Sequence, residues 1–313
     1  MNLQQLRYVV EVVRAGLNVS EAAEALFTSQ PGVSKQIRQL EEELGVEIFV
    51  RHGKRLVGIT DPGRQVLAIA ERMQGEIDSL KKVGAEFRNE SEGMLAIACT
   101  HNQARYALPR VIQQFVQKYP KVRLSLHQGS PRQICQWVLD GDADLAIATE
   151  NVAETEGLVS LPCYQWNRCI IATPRHPILK ASPLTLEEIA KYPIVTYDTF
   201  FAGRSQVNKA FLARGLKPNV VLAAMDADVI KTYVAMDLGI GIVASIAYDP
   251  KVDTQIARID AAHLFESAVT RIGIRHKAYL RGYAYGFIEL MAHHLTRRVV
   301  DAALVGGGTD PGL

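Results

Sequence analysis

The side chains best suited to bind DNA lie on one face of the segment that follows Pro31. The run Thr28-Ser29-Gln30-Pro31 is a helix-start signal, because proline is tolerated in a first turn, where its missing N–H would have no partner. Apolar residues then recur every three or four positions from Val33 to Leu44, which predicts a helix with one buried face. The opposite face carries polar and basic side chains, namely Gln30, Ser34, Lys35 and Arg38.

These side chains offer the hydrogen bonds that DNA recognition requires. Gln30 can bond a base edge, hydroxyl groups can bond phosphate or a base, and Lys35 and Arg38 can neutralise phosphate or reach guanine. A basic turn at 51–55 can lie along the DNA, whereas the acidic run 41–43 would repel it and limit docking to the N-terminal half of the helix. An ordinary solvated helix face is the alternative. The candidate DNA contacts are Thr28, Ser29, Gln30, Pro31, Ser34, Lys35, Arg38, Arg51, Lys54 and Arg55.

A second group of hydroxyl and amide side chains falls where predicted strands end and predicted helices begin. Helix N-termini offer free N–H groups and a partial positive charge, which makes an anion site that needs no lysine or arginine. The alternative is that each serine or threonine only caps a helix. Taken together, the group predicts a small-anion pocket. Its members are Thr100, Asn102, Gln103, Ser130 and Thr149.

Enzyme and metal chemistry find little support in the sequence. It contains no GxSxG, HExxH or P-loop motif, and Gly239-Ile240-Gly241 follows a predicted helix instead of opening one. His127 and Ser130 are neighbours, but a nucleophile needs an oriented base at hydrogen-bond range. No cysteine pair has CxxC spacing, so we expect packed, reduced thiols without a disulfide framework. We therefore expect no catalytic residues, no metal site and no cofactor.

Composition sets wide bounds on the chain. Its 313 residues suggest about two domains, and 48% apolar with 22% charged residues exclude a disordered chain. The net charge is +2, and residues 1–60 hold seven basic and seven acidic residues, so bulk charge gives no argument for nucleic acid. No apolar run approaches the roughly 18 to 20 residues that cross a bilayer, and the N-terminus lacks a signal-peptide layout. We expect a cytoplasmic protein without membrane contact.

The elements that must position the DNA-binding side chains fill residues 1–60. Apolar spacing predicts a helix from Leu3 to Val13, and Asn18 three residues before Glu21 is a capping-box signal for a second helix. After the third helix, segments 46–50 and 56–59 read as a small hairpin. Three short helices followed by a basic hairpin indicate a winged helix-turn-helix.

A longer helix is predicted next, in a linker at residues 61–90. Val66, Met73, Leu80 and Phe87 repeat every seven residues, which indicates pairing with another helix. The alternative is one helix packed on its own domain. Nothing else in the N-terminal segment looks large enough to cover the stripe, so this pattern favours a dimer.

From Gly93 onward, strand and helix patterns alternate, which indicates mostly parallel sheets. Two consecutive series suggest two lobes within residues 91–313. Ligands in such sheets lie at the carboxyl ends of strands, where Thr100 and Thr149 fall.

Two sets of sequence runs then identify a family resemblance, which covers about residues 1–300. The N-terminal runs, with Phe49 and Thr60, resemble the LysR-type transcriptional regulators; they are 3–8, 28–37, 40–41 and 44–45. The later runs are similar to the CysB group of that family; they are 100–109, 127–131, 146–150, 161–164, 166–168 and 226–233.

The resemblance implies an α/β protein with an N-terminal winged helix-turn-helix, a long dimerising linker helix and a two-lobed, periplasmic-binding-protein-like effector domain. The effector domain would span residues 91–313, with lobe I at about 91–162 and 268–300 and lobe II at about 163–267. It also implies binding to double-stranded DNA, a homo-oligomer that is usually a tetramer, and RNA polymerase as a further partner. The CysB group controls genes of sulfur assimilation and cysteine synthesis, mostly as activators. Its effectors are acetylated serines, with sulfate or thiosulfate acting against activation.

Carried over by position, the resemblance adds a loop near Ala202 to the pocket of Thr100, Asn102, Gln103 and Thr149. This chain departs from the pattern at Asn102 and Ala202, where the group commonly has threonine. A sister branch that governs use of sulfonates and other organic sulfur shares most of these motifs. Two further alternatives stay open, namely an enzyme acting on a small anion in the same cleft and a solute-binding protein fused to a helical tether.

Overall fold

The computed structural model describes residues 1–53, 55–86, 92–198 and 202–306, with all side chains in these ranges except 78, 79, 81–86, 202, 203 and 205. Two compact units, Met1–Ala85 and Glu86–Leu313, make up the chain. The helices are α1 Leu3–Arg14, α2 Val19–Ala25, α3 Gln30–Leu44, α4 Asp61–Glu86, α5 Leu108–Lys118, α6 Pro131–Asp140, α7 Leu186–Ile189, α8 Ala202–Ala213, α9 Ala227–Ala235, α10 Gly282–Met291 and α11 Arg297–Gly306. The strands are β1 Phe49–His52, β2 Arg55–Ile59, β3 Gly93–Cys99, β4 Val122–Gln128, β5 Leu145–Ala148, β6 Leu158–Trp166, β7 Arg168–Ala172, β8 Ile194–Tyr197, β9 Val220–Ala224, β10 Ile240–Ala244, β11 Ala257–Asp260 and β12 Ala268–Arg275.

The N-terminal unit is a winged helix-turn-helix whose helix ends follow local capping chemistry. The Asn18 side chain accepts hydrogen bonds from the backbone N–H groups of Ser20 and Glu21 and so begins α2. Ser29 accepts one from Gly32 at the start of α3, and Gly45 ends α3 in the left-handed conformation at φ +68°. The predicted starts of α2 and α3 are confirmed.

The buried face of α3 forms the centre of this unit. Val33, Ile37 and Leu40 are at most 1% exposed, whereas Leu44, the last residue of the predicted stripe, is 37% exposed. The three buried residues belong to a core that α1, α2, the wing and the first half of α4 complete. The core of the unit therefore covers the apolar face of α3, and the polar face of α3 is exposed to solvent.

The seven-residue repeat of α4 divides into two parts. Val66 and Met73 pack against the core of their own unit, so the prediction that nothing in the N-terminal segment could cover the stripe is wrong for these two residues. Ile69 is 48% exposed and Leu80 is 72% exposed. Phe87 lies outside the described residues.

The C-terminal unit contains one sheet in each lobe. The strand order is β4-β3-β5-β12-β6 in lobe I and β11-β7-β10-β8-β9 in lobe II. The pairs β3·β4, β3·β5, β8·β9 and β8·β10 are parallel, and the pairs β5·β12, β6·β12, β7·β10 and β7·β11 are antiparallel. The prediction of mostly parallel sheets is thus only half right. In lobe I, β12 runs opposite to β5 and β6, and in lobe II, β7 runs opposite to β10 and β11.

Three further features differ from the sequence prediction. The sequence pattern does not predict the strands β6 and β11. The strand β6 extends the lobe I sheet to Trp166, a few residues beyond the predicted end of this part of lobe I at residue 162. The sequence pattern also predicts that residues 283–300 are helical throughout, and this prediction is wrong, because α10 and α11 are separate helices. The chain bends between α10 and α11, where Leu295 is fully buried and the His294 ring lies 2.9 Å from the Pro162 carbonyl. No described helix is both long and apolar enough to span a membrane.

Candidate functional site: a DNA-binding surface and a pocket between the lobes

The N-terminal half of α3 presents the predicted DNA-binding side chains to solvent. Gln30, Lys35 and Arg38 are exposed, and Thr28 and Ser34 are partly exposed. The Gln30 amide lies 3.4 Å from the Ser34 hydroxyl, within hydrogen-bond range. This face combines amide, hydroxyl and cationic groups over about two helical turns, and a major groove admits one such helix.

The wing is tied to the far end of α3 by a buried carboxylate. Glu41 is 8% exposed and accepts hydrogen bonds from the backbone N–H groups of Ile48 (2.9 Å) and Phe49 (3.2 Å). Its other oxygen lies 2.7 Å from Nη2 of Arg51. The expectation that the whole acidic run repels DNA is therefore wrong for Glu41, whose charge is used inside the unit.

The basic side chains of the turn at 51–55 consequently differ in their exposure to solvent. Arg51 sits on β1 with its guanidinium held by Glu41, and its side chain is only 27% exposed. Arg55 begins β2 and is exposed. Lys54 lies outside the described residues.

In the C-terminal unit, a pocket opens between lobe I and lobe II, with a cavity volume of about 40 Å³. Lobe I contributes the end of β3 and the π-helical turn Gln103–Ala107 that follows it. The predicted residues that line the pocket are Thr100, Asn102, Gln103 and Thr149. The other lining residues are His101, Glu150, Trp166, Tyr197, Met225, Ala244 and Ile246.

Gln103 and Thr149 belong to one hydrogen-bonded network centred on Thr270, which is fully buried in β12. The Gln103 amide donates to the Thr270 hydroxyl at 3.1 Å, and the Thr149 hydroxyl lies 3.4 Å from the same oxygen. The Tyr164 hydroxyl donates to the Gln103 carbonyl at 2.6 Å, and the Trp166 indole donates to Thr149 at 3.3 Å. Neutral groups that are fixed in this way need little reorganisation to bind an anion.

Asn102 has a different role from the one its sequence position suggests. Its amide donates to the Tyr197 hydroxyl at 3.0 Å, and its carbonyl accepts from the backbone N–H of Ala227 at 3.4 Å. Both partners belong to lobe II, and Ala227 is the first residue of α9. Asn102 lines the pocket, but its side chain ties the two lobes together.

A cluster around Asp228 makes a second tie between the lobes. Its carboxylate accepts a hydrogen bond from Tyr106 of lobe I at 2.7 Å and lies 3.2 Å from the His101 ring. Arg105 and Lys231 lie at 3.4 and 3.3 Å. Burial alone would raise the pKa of Asp228, but these hydrogen bonds and the charge of Lys231 outweigh it and lower the pKa to about 2.

The other two predicted effector residues are Ser130 and Ala202. Ser130 is the N-cap of α6, where it forms a capping box with Gln133, and it does not line the pocket. The capping alternative therefore explains Ser130. Ala202 is the first residue of α8, and its side chain lies outside the described residues.

Sequence reasoning missed a buried cation beside the pocket. Arg168 is 2% exposed, its Nη1 donates to the Glu266 carbonyl at 3.0 Å, and its guanidinium lies 5.2 Å from the centre of the Trp166 ring. Burial lowers the pKa of Arg168, and the charge of Glu150 opposes that shift. The run Trp166-Asn167-Arg168 carried part of the family resemblance, but no spacing rule pointed to a buried arginine.

The cysteines are packed, as predicted. All of them are buried and unpaired. Burial raises the pKa of Cys99, next to the pocket, to about 12, so its thiol is not reactive at neutral pH.

Comparison with known proteins assigns both units to one family. Residues 3–64 match "Bacterial regulatory helix-turn-helix protein, lysR family", and residues 88–296 match "LysR substrate binding domain". The chain is 52% identical over 306 residues to the HTH-type transcriptional regulator CysB of Burkholderia cenocepacia, covering 98% of both chains. It is 51% identical over 304 residues to the regulator SsuR of the same organism, covering 97% of this chain and 99% of SsuR.

A solved structure resembles the C-terminal unit. It is the cofactor-binding domain of the Cbl transcriptional regulator, which is 40% identical and superposes with a TM-score of 0.67. The match covers 69% of this chain and 95% of that one.

Proposed function

This chain belongs to the LysR family of transcriptional regulators, and we propose that it controls genes of sulfur assimilation and cysteine synthesis in response to a small anion. It is a DNA-binding regulator and not an enzyme, since its relatives at about 50% identity are regulators over nearly their full length. Activation, as in most of the CysB group, is the proposed sign of control.

We propose that α3 enters the major groove with Gln30, Ser34, Lys35 and Arg38, flanked by Thr28, Ser29, Pro31 and the wing residues Lys54 and Arg55. The exposed cations of the helix support this assignment, because phosphate contacts supply much of the affinity for DNA. Arg51 would support the wing through Glu41 and contribute less directly.

We propose a homo-oligomer, in full a tetramer, with RNA polymerase as a further partner at promoters. The exposed apolar side chains of Ile69 and Leu80 on α4 support helix pairing, because an exposed Leu80 on a long helix is costly unless another chain covers it.

The pocket is the proposed effector site, for an anion of the acetylserine, sulfate or thiosulfate class. The observation that carries this proposal is that side chains of both lobes line one pocket. A ligand that touches both lobes binds better to one arrangement of them, and this difference in affinity shifts the population of DNA-binding states. Thr100, Gln103 and Thr149 would hold the anion, with Asn102 beside them and Ala202 from the neighbouring loop.

Control of sulfonate-utilisation genes is the second candidate function. The chain is almost equally similar to CysB and to SsuR of one organism, at 52% and 51% identity, so similarity alone does not choose between the two regulons.

A gel shift of the full chain on promoter fragments from both gene sets tests the proposal. We expect specific binding to cysteine-synthesis promoters that changes in mobility or affinity when O-acetylserine, N-acetylserine or sulfate is added. Binding only to sulfonate-utilisation promoters would favour the second candidate. Specific DNA binding that no small anion alters would contradict the effector part of the proposal.

A further inference from the structure

A buried arginine lies where the chain passes between the two lobes of the C-terminal unit. The first passage is the single residue Asn167, between β6 of lobe I and β7 of lobe II. The return passage is the segment 261–267, between β11 of lobe II and β12 of lobe I. Together these two passages form the hinge between the lobes. Arg168 begins β7 and is only 2% exposed, so its guanidinium lies inside the hinge.

The guanidinium of Arg168 contacts both sides of the hinge. Its Nη1 donates to the backbone carbonyl of Glu266, in the return passage, at 3.0 Å. Its central carbon lies 5.2 Å from the centre of the Trp166 ring, at the end of β6, and 5.9 Å from the centre of the Phe265 ring. Cation–π attraction acts at these distances and is stronger where water is excluded. One side chain therefore joins the two segments whose backbone must adjust when the lobes rotate.

Charge from lobe I also acts on Arg168. Glu150 follows β5 of lobe I, and the charge of its carboxylate stabilises the protonated guanidinium. Taking a cation out of water is costly unless such partners compensate for it, and an apolar side chain would often fill the same space without that cost. Packing of the hinge alone therefore does not account for a cation at this position.

Trp166 links this cation to the pocket. Its indole lines the pocket and donates a hydrogen bond to the Thr149 hydroxyl at 3.3 Å, and its ring also lies next to Arg168. Arg168 itself is not among the described residues that line the pocket. A ligand held by Thr149 would therefore move the Trp166 ring first, and movement of this ring changes its contact with the hinge cation.

We propose that Arg168 is a positioning residue of the hinge, which converts the position of the Trp166 ring into the angle between the lobes. This inference rests on the proposed effector function of the pocket and names how occupancy of the pocket reaches the rest of the chain. The planar guanidinium suits this role because it can pack against a ring and donate hydrogen bonds in fixed directions, whereas the ammonium group of lysine is a compact point charge. Ligand binding and the response to the ligand should therefore be separable at this residue.

Arg168→Lys tests the proposal, because it keeps a cation beside the pocket and removes the planar group. Calorimetry of the full-length protein with sulfate and with O-acetylserine measures binding. The anisotropy of labelled promoter DNA, with and without each ligand, measures the response. Both ligand affinities should stay within about threefold of the wild-type values. The ligand-induced change in DNA affinity, which is about 5- to 150-fold in typical allosteric coupling, should fall below about twofold.

Arg258→Lys is the matched control. Arg258 lies 5.6 Å from the centre of the Tyr248 ring, and both residues are in lobe II, outside the hinge and the described pocket lining. The same substitution there should keep the wild-type response. An unchanged response of folded Arg168→Lys protein to a ligand that it binds overturns the proposal, and so does an equal loss of response in the two variants.

Tryptophan fluorescence shows at which contact the signal stops. Trp137 and Trp166 are the two tryptophans of the chain, so emission from Trp137→Phe protein comes from Trp166 alone. Sulfate should change this emission, and it should still do so after Arg168→Lys, because the contacts of Trp166 with the pocket remain. Loss of the emission change in Arg168→Lys would show that Arg168 acts on ligand binding, which overturns the hinge role. Emission that sulfate does not change in the Trp137→Phe protein overturns it as well.

Phe265→Leu keeps the test decisive if Arg168→Lys does not fold. This change leaves every charge in place and removes the second ring beside the guanidinium, so the response to sulfate should fall while sulfate affinity is retained. A wild-type response in Phe265→Leu overturns the proposal. Failure of the proposed function looks different, because wild-type protein then binds neither sulfate nor O-acetylserine, or its DNA affinity responds to neither.

Discussion

The DNA-binding surface and the pocket use charge in opposite ways. On α3, Lys35 and Arg38 extend into solvent, where they can meet phosphates over several ångströms. In the pocket, the groups proposed to hold the anion are neutral, and Thr270 fixes Gln103 and Thr149. Affinity at the first region should therefore fall steeply with salt, whereas affinity at the second should depend on hydrogen-bond geometry.

Two charged groups near the pocket make contacts within and between the lobes. Asp228 joins the π-helical turn of lobe I to α9 of lobe II, and Arg168 is fully buried behind Trp166. The same separation suggests that DNA affinity and effector affinity can be changed independently by mutation.

Removal of Glu41 should have the largest effect on stability, because Glu41 is a buried charge in a unit whose proposed DNA contacts are exposed. Removing it leaves Arg51 and two backbone N–H groups without their acceptor. We expect Glu41→Ala to destabilise the N-terminal unit by about 3 kcal/mol, at the low end for a broken buried pair, since Arg51 is partly exposed. Hydrogen exchange of peptides from this unit under increasing urea measures the loss.

The exposed neighbour Glu42 provides the matched control. Glu42→Ala removes the same charge from the same helix and should change stability by no more than about 0.5 kcal/mol. Equal effects of the two variants would mean that the internal ion pair does not hold the wing.

Replacement of the exposed Arg38 tests whether α3 contacts DNA through charge. Arg38→Ala should weaken operator binding by about 1–3 kcal/mol and reduce the slope of log affinity against log salt by about 1. Fluorescence anisotropy at several salt concentrations measures both quantities. Arg110→Ala, which removes an exposed arginine from the other unit, should leave them unchanged. Unaltered DNA affinity in a folded Arg38→Ala protein would remove α3 from the proposed interface.

Asp228 should make a smaller, pH-dependent contribution to the stability of the effector domain. Its folded-state pKa is about 2, below the ordinary value of 3.8. The carboxylate therefore stabilises the folded effector domain above about pH 4, and this contribution is lost as pH falls toward about 2.

Asp228→Asn should accordingly flatten the pH dependence of stability between about pH 4 and pH 2, as measured by urea unfolding across that range. Asp142→Asn, which removes an exposed carboxylate of lobe I, is the control and should retain the wild-type profile. A wild-type profile for Asp228→Asn would show that its contacts do not tie the lobes.

Local features could be predicted from the sequence because their causes lie within a few residues. The caps Asn18 and Ser29 bond groups two or three positions away, and the stripe from Val33 to Leu40 is read directly from helical spacing. Periodicity did not reveal how much of α4 packs on its own unit, since an apolar stripe shows only that some surface covers it.

The pocket was predicted only in part because its contacts are long-range. Thr100 and Thr149 stand at strand ends, which made them visible, and Gln103 follows the same strand. The links from Gln103 to Thr270 and from Asn102 to Tyr197 span 167 and 95 residues, and no local pattern records them. Ser130 caps α6 and does not line the pocket, and its sequence context does not distinguish a capping hydroxyl from a ligand-binding one.

In the proposed function, a small anion in the pocket between the lobes controls DNA binding. The most direct measurement is the anisotropy of labelled promoter DNA, titrated with effector in the presence of wild type, Thr100→Ala and Ser130→Ala. Hydrogen bonds to a charged group are worth about 1.5–3 kcal/mol, so Thr100→Ala should need about ten- to a hundredfold more effector at unchanged basal DNA affinity. Ser130→Ala should respond as the wild type does. A response at the same effector concentration in all three proteins would contradict control of DNA binding through this pocket.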